Sequence, residues 1–383
     1  MNESVLDDIV GRGADASRAL QQLLDRRGLV RVEKPGCYQI SATLIIRSHT
    51  RLVLAPGVTL RAAPLSRCAL IENEHFAGGG RDEDISIEGG CWDGNCDEMG
   101  LDAWEETSEV SRLAGPYDPR AFKGKLIRFA HVDSITLEKL TVRNPVSFGI
   151  QIADAKWFIV RDLWFDYNGR FGTTDGVHIN GPARFGLIEN LAGFTNDDMV
   201  SLTSVDETHA EVSRGPIDTV EIRNISAENG YSGVRLLSCG EPMTNVAVRG
   251  VYGTYRHNAV LISQHEVHPG EPVWFDNIAI ERVIASKSPV PLREDQFRRW
   301  EPNAIETLPV VWIERGVRAG SVILRDIARH ETAQTEAPLI QLDAGADIDR
   351  LVVENVHQTC REGIDPPLYV NEANVRKLIC RLD

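Results

Sequence analysis

Apolar positions recur along the chain in one eight-residue frame, apolar-x-apolar-x-x-apolar-x-apolar, at 135–142, 158–165, 220–227, 246–253, 278–285, 322–329 and 351–358. Alternation within each half sends every second side chain to a core and the others outward, the pattern of a short β-strand. The two residues between the halves, such as Glu138-Lys139, Arg161-Asp162 and Glu354-Asn355, are polar and predict a tight bend. Single apolar-alternating runs lie between these frames at 126–129, 149–152, 176–179, 199–202, 233–236 and 259–262, with starts 23 to 34 residues apart. A unit of that size made only of short strands cannot bury its apolar faces alone, so successive units must stack and share a core. The expected fold is all-β: a right-handed parallel β-helix, one solenoid domain over 1–383. Residues 14–25, with Ala19, Leu20, Leu23 and Leu24 on one face, predict an amphipathic helix that covers the N-terminal end of the stack. Two stretches break the repeat, 95–123 and 287–307, and are expected to line a binding cleft.

Composition changes this picture little. Hydrophobic residues make up 42% and charged residues 25%, ordinary values for a water-soluble domain. The charge is informative: 41 basic against 56 acidic residues gives −15, which argues against nucleic acid or an anionic membrane as partner. Seven scattered cysteines match neither a disulfide framework nor a zinc site, and Cys91 and Cys96 are expected to be buried free thiols. The residues from Met1 to Asp8 have no basic and apolar leader pattern, so a cytoplasmic location is the expectation. Oligomeric state is not readable.

The candidate chemistry lies in three aspartates. Thr173-Thr174-Asp175-Gly176 and, 22 residues on, Asn196-Asp197-Asp198 each open a short strand, and the repeat places them on adjacent coils of one surface. A single Asp beside Gly reads as a turn residue. Recurrence at the repeat spacing, with an Asp-Asp pair that is unfavourable beside a strand, points instead to clustered carboxylates. Like charges at close range favour one group keeping its proton while its neighbours ionise, which is the requirement of acid/base glycosidic cleavage.

With these residues sorted, the chain resembles glycoside hydrolase family 28, the polygalacturonase family, within the pectate-lyase-like β-helix superfamily. The likeness covers most of the chain and is carried by Gly89-Gly90-Cys91-Trp92-Asp93-Gly94, Lys125-Leu-Ile-Arg-Phe, Val142-Arg-Asn-Pro145, Thr173-Thr174-Asp175 and Asp197-Asp198. Two family signatures are replaced. Gly-His-Gly reads Tyr231-Ser232-Gly233, and Arg-Ile-Lys reads Leu261-Ile262-Ser263. The resemblance implies that the lost cations grip a galacturonate carboxylate, so a standard polygalacturonase activity is not expected.

By resemblance, Asp197 is the general acid and Asp175 with Asp198 activates water, with inversion at the anomeric carbon. The acid and bases should then stand about 6.5 to 9.5 Å apart, against about 5 Å for retention. Strand parity turns His178, Arg235 and Ser263 outward, with His265 beyond, and these four with Ser232 are the candidate substrate-binding residues beside the acids. Trp300 and Trp104, in the interruptions, could stack on a sugar face. Trp157, Trp164, Trp274 and Trp312 sit in strand patterns and read as core or flank packing, and His257 reads as a surface histidine. No cofactor and no metal is expected, calcium at the acids being the minor alternative. The expected substrate is a pectin-related or similar oligosaccharide, attacked from its end. The alternatives are a carbohydrate-binding or structural β-helix without catalysis and, less favoured, a polysaccharide lyase.

Overall fold

The computed structural model describes residues 14–101, 124–205, 212–264, 274–297 and 307–382. They form a right-handed parallel β-helix in which every coil adds strands to three columns, each pairing in parallel with the coil before and after. One column carries the residues that matter most below. It runs through Leu44–Ile46, Ile71–Asn73 and the first residues of Ile127–Glu138, Ile150–Asp166 and Val177–Phe194. It continues through Asp198–Thr203, Ser232–Leu237, Val260–Ser263, Val311–Ile313, Ile340–Leu342 and Tyr369–Asn371. Register stacks Ile127, Ile150, Val177, Val200, Val234, Val260, Val311 and Ile340 directly over one another, all fully buried. β-branched side chains suit this interior because they are stiff and fill a pleated surface well.

The eight-residue frames form the other two columns, joined at the polar bend. Its second residue takes the left-handed conformation in each frame, including Lys139 (φ 59°), Asp162 (φ 58°), Asn224 (φ 54°) and Asn355 (φ 53°). Asn and Asp reach that region at little cost. The first bend residue and its neighbours build a ladder of ion pairs across coils: Arg51 and Lys139 on Glu88, Arg161 on Glu138, Arg249 on Glu221 and Glu281, and Arg325 on Glu281 and Glu354. Gly186-Leu-Ile-Glu189-Asn190 is one more such bend, with Asn190 at φ 58°, hidden in the sequence because glycine opens it. The reason is steric: a Cβ on Gly186 would stand 2.0 Å from Cζ of Phe158, its fully buried register partner.

At the corner before the frames that lie between 135 and 285, the left-handed position is held by Ser134, Thr219, Asn245 and Asn277, but also by Trp157 (φ 53°) and Phe185 (φ 60°). For bulky side chains this conformation costs about 1–2 kcal/mol each. The helix spans Ser17–Leu24, shorter than the expected 14–25 because Asp15 is drawn into a bridge with Gln39. Leu20 and Leu24 are buried, and the Gln21 side chain exchanges hydrogen bonds with the Ile45 backbone, fixing the helix over the end of the stack. The cysteines are free thiols; Cys96 is buried, which pushes its pKa up to about 12, while Cys91 is only half-buried.

Candidate active site

Asp175 enters the strand Val177–Phe194, and Asp198 begins the strand Asp198–Thr203 on the next coil. Their backbones are pinned before their side chains matter. The Asp175 carbonyl accepts from Gly149 N (2.8 Å) and Tyr167 Oη (3.1 Å), the Asp198 carbonyl accepts from Gly176 N (2.9 Å), and the Asp197 carbonyl accepts from Thr195 Oγ1 (2.9 Å). Gly176 is required there, since a Cβ would stand 2.5 Å from the Met199 carbonyl oxygen. One carboxylate oxygen from each of Asp175, Asp197 and Asp198 lies within 4.8 Å of the others, and all three residues are at least 94% buried. The sequence grouping of the three acids is thus present in space. The gap of about 6.5 to 9.5 Å expected for inversion is not present between these oxygens, so spacing gives inversion no support over retention. The same three oxygens could reach one cation, as could Glu74, His75 and Asp82 elsewhere.

His178 Nδ1 lies 2.6 Å from Asp175 Oδ2, Asn180 Nδ2 approaches His178 Nε2 at 3.3 Å, and Gln151 Nε2 donates to Asn180 Oδ1 at 2.8 Å. With Nε2 facing an amide donor, the ring directs its Nδ1–H at Asp175. Phe148 stacks on the imidazole at 4.1 Å and 7°, and Lys125 Nζ sits 4.4 Å from the Phe148 ring centre. His178 thus sits against Asp175, where it can orient the carboxylate.

Arg235 turns outward in register between Ser201 and Leu261, as parity predicts. Its Nη1 is 3.8 Å from Asp198 Oδ2 and its Nε donates to Ser263 Oγ at 3.1 Å. Burial holds the Glu314 carboxyl above its ordinary range, with Arg235 acting in the opposite direction. Ser232 is paired in register with Asp198 and is buried; its Oγ lies 3.4 Å from His257 Nδ1. His257 is not a surface histidine: it is half-buried and stacked on Tyr231 at 4.8 Å and 14°. His265, Trp300 and Trp104 lie outside the described residues. Trp157, Trp164 and Trp274 stand 56%, 54% and 42% exposed on the flanks, and among the described residues the fully buried tryptophan is Trp92.

Several site residues escaped sequence reasoning because their partners are distant in the chain. Asn196 is buried; its Nδ2 lies within 3.2 Å of the carbonyls of Gly169, Phe171 and Phe297, and its Oδ1 accepts from Arg256 Nη2 at 2.6 Å. It ties the loop 168–172, which leads into Asp175, to the second interruption. Phe297 N donates to the Gly169 carbonyl at 2.7 Å, and Gly172 has no side chain because a Cβ would meet the Phe297 ring at 2.3 Å. The first interruption reaches the same loop, with Asn168 Nδ2 donating to Asp97 Oδ2 at 3.1 Å and Arg170 pairing with Asp97 at 2.9 Å. The fully buried Lys287 donates to the carbonyls of Arg256, His257 and Leu308, and burial lowers its pKa to about 7.

No protein-family model matches the chain, and no curated protein matches it by sequence. Solved structures do match in fold. The family 28 exopolygalacturonase of Yersinia enterocolitica is 14% identical, covering 92% of this chain and 76% of its own, with a TM-score of 0.53. A hyperthermoactive exopolygalacturonase of Thermotoga maritima is 14% identical over 94% and 88% of the two chains, TM-score 0.53. PfbA, a surface adhesin of Streptococcus pneumoniae, is 14% identical over 95% and 87%, TM-score 0.55. At these identities the likeness is one of architecture: the chain has the polygalacturonase-like right-handed parallel β-helix.

Proposed function

We propose that the protein is a glycoside hydrolase that cleaves O-glycosidic bonds of pectin-related or similar oligosaccharides from one end. The observation that carries this reading is the cluster of Asp175, Asp197 and Asp198, three buried carboxylates with oxygens within 4.8 Å on one sheet. Asp197 protonates the leaving oxygen, and Asp175 and Asp198 act on the anomeric side, Asp175 oriented by His178 and Asp198 with the Arg235 charge beside it. Exclusion of water strengthens each of these electrostatic terms. End-on attack is supported by the segments 95–101 and 293–297, which converge on the loop 168–172 next to Asp175. Leu261, apolar and in register beside Arg235, supports a substrate other than unmodified polygalacturonate.

A carbohydrate-binding β-helix without turnover is the second reading, favoured by the fold shared with an adhesin. Asp197→Asn on a panel of uronic, deoxy and neutral oligosaccharides separates the two. Hydrolysis by the parent that falls about 10²- to 10⁴-fold in the variant, with binding kept, supports the enzyme; binding with no hydrolysis by either protein supports the binding module. The anomer of the first product, followed by NMR, distinguishes water activation by Asp175 and Asp198 from direct attack by one of them.

A further inference from the structure

Trp157 and Phe185 occupy the same corner on consecutive coils, 56% and 42% exposed, with rings stacked at 5.8 Å and 17°. Both hold the left-handed backbone that neighbouring coils give to Thr219, Asn245 and Asn277. Exposure of two large rings and strain at both positions gain nothing for the core, and strain retained at a surface points to use. Beside the rings runs an open groove of about 480 Å³, lined also by Thr219, Glu221, Asn245 and Arg249.

From these observations we infer a second carbohydrate site, on the flank of the solenoid and separate from the acids, that takes a neutral, hydroxyl-rich oligosaccharide. The ring pair supplies the flat apolar surface on which a sugar packs, and the amide, hydroxyl and carboxylate groups alongside supply hydrogen-bond partners. The charges alongside are balanced and offer an acidic sugar no surplus cation: Arg249 is held by Glu221 and Glu281, and Asp218, which accepts from both Thr219 and Asn245, faces Arg184, whose guanidinium lies 5.5 Å from the Phe185 ring centre. A second copy of this chain fits less well, because two half-exposed rings offer on the order of 200 Å², far below the roughly 800 Å² per partner of a stable interface. The inference does not rest on the hydrolase reading, and the two fail separately.

The test is calorimetric titration of the whole protein with xylohexaose, galactohexaose and hexagalacturonate, repeated with Trp157→Asn and Phe185→Asn. Asparagine suits the left-handed corner, so both variants should fold, with a melting temperature equal to the parent's or higher. The expected result is binding of at least one neutral hexaose that weakens tenfold or more in each variant, while turnover at the acids, if present, is unchanged. Absence of neutral-sugar binding in the parent, or affinities within twofold in both variants, overturns the site. So does sedimentation velocity showing a self-associated parent that Trp157→Asn converts to monomer. Parent binding of a neutral hexaose that weakens in both variants, in a protein that hydrolyses nothing, would leave this site standing while the acid cluster loses its proposed role.

Discussion

Replacing Asn196 with alanine should uncouple the acid-bearing loop from the rest of the protein. The side chain's amide has two hydrogens for the three carbonyls of Gly169, Phe171 and Phe297, so two full bonds are the most it can supply. At about 1 kcal/mol each, with about 1.5–3 kcal/mol for the bond from the charged, buried Arg256, the change should destabilise the coil by about 3.5–5 kcal/mol. Hydrogen exchange read by mass spectrometry suits a solenoid better than a single unfolding midpoint, since neighbouring coils open semi-independently. The amides of 168–172 and of Phe297 should exchange far faster in the variant, those of Ile340–Leu342 at the parental rate. Any turnover at Asp175 and Asp197 should fall with them. A loss below about 1 kcal/mol, with unchanged exchange over 168–172, would refute the tether, because that is the scale of a single neutral bond.

Gly186→Ala should destabilise by roughly 1–3 kcal/mol through overpacking on Phe158, and Phe158→Leu should recover part of the loss; urea unfolding of the two single variants and the double variant measures the coupling. Lys287, with its pKa lowered to about 7 in the fold, gives up its proton there while the unfolded chain keeps it to about 10.4. The unfolded state then binds more protons, so stability should climb from pH 7 towards 10, and denaturant titrations of Lys287→Met should lack that part of the slope. Dialysis against EDTA should leave hydrolysis unchanged; loss restored by calcium would instead place an ion among Asp175, Asp197 and Asp198.

What was legible in the sequence was periodic. Each repeated frame kept its bend at the residue expected, because alternation and a polar left-handed position are local properties, as at Asp162 and Asn355. The outward turn of Arg235 followed from parity for the same reason, and the proximity of Asp175 to Asp198 followed from one coil's length. What was hidden depended on two distant choices at once. The coil opened by Gly186 lacked the apolar signature because Phe158, a full coil earlier, occupies its volume. The stacking of Phe148 on His178 joins residues 30 apart in the chain and was hidden for the same reason. Asn196 and Lys287 read as ordinary polar residues until their carbonyl partners, contributed by segments up to 101 residues away, come into place.

The ladder of ion pairs on the bends has a consequence for how such a chain can change length. Reading along the column, Glu189 is followed by Arg223 and Arg249, then Glu281, Arg325, Glu354 and Arg381, with signs alternating over the last five. Deleting the coil that carries Glu281 would set Arg249 beside Arg325, and duplicating it would set one glutamate beside another. Removing or adding two adjacent coils from this stretch preserves the alternation. Over these last five positions the bends therefore favour growth or shrinkage of the solenoid in pairs of coils, whereas the adjacent Arg223 and Arg249 are held together by sharing Glu221.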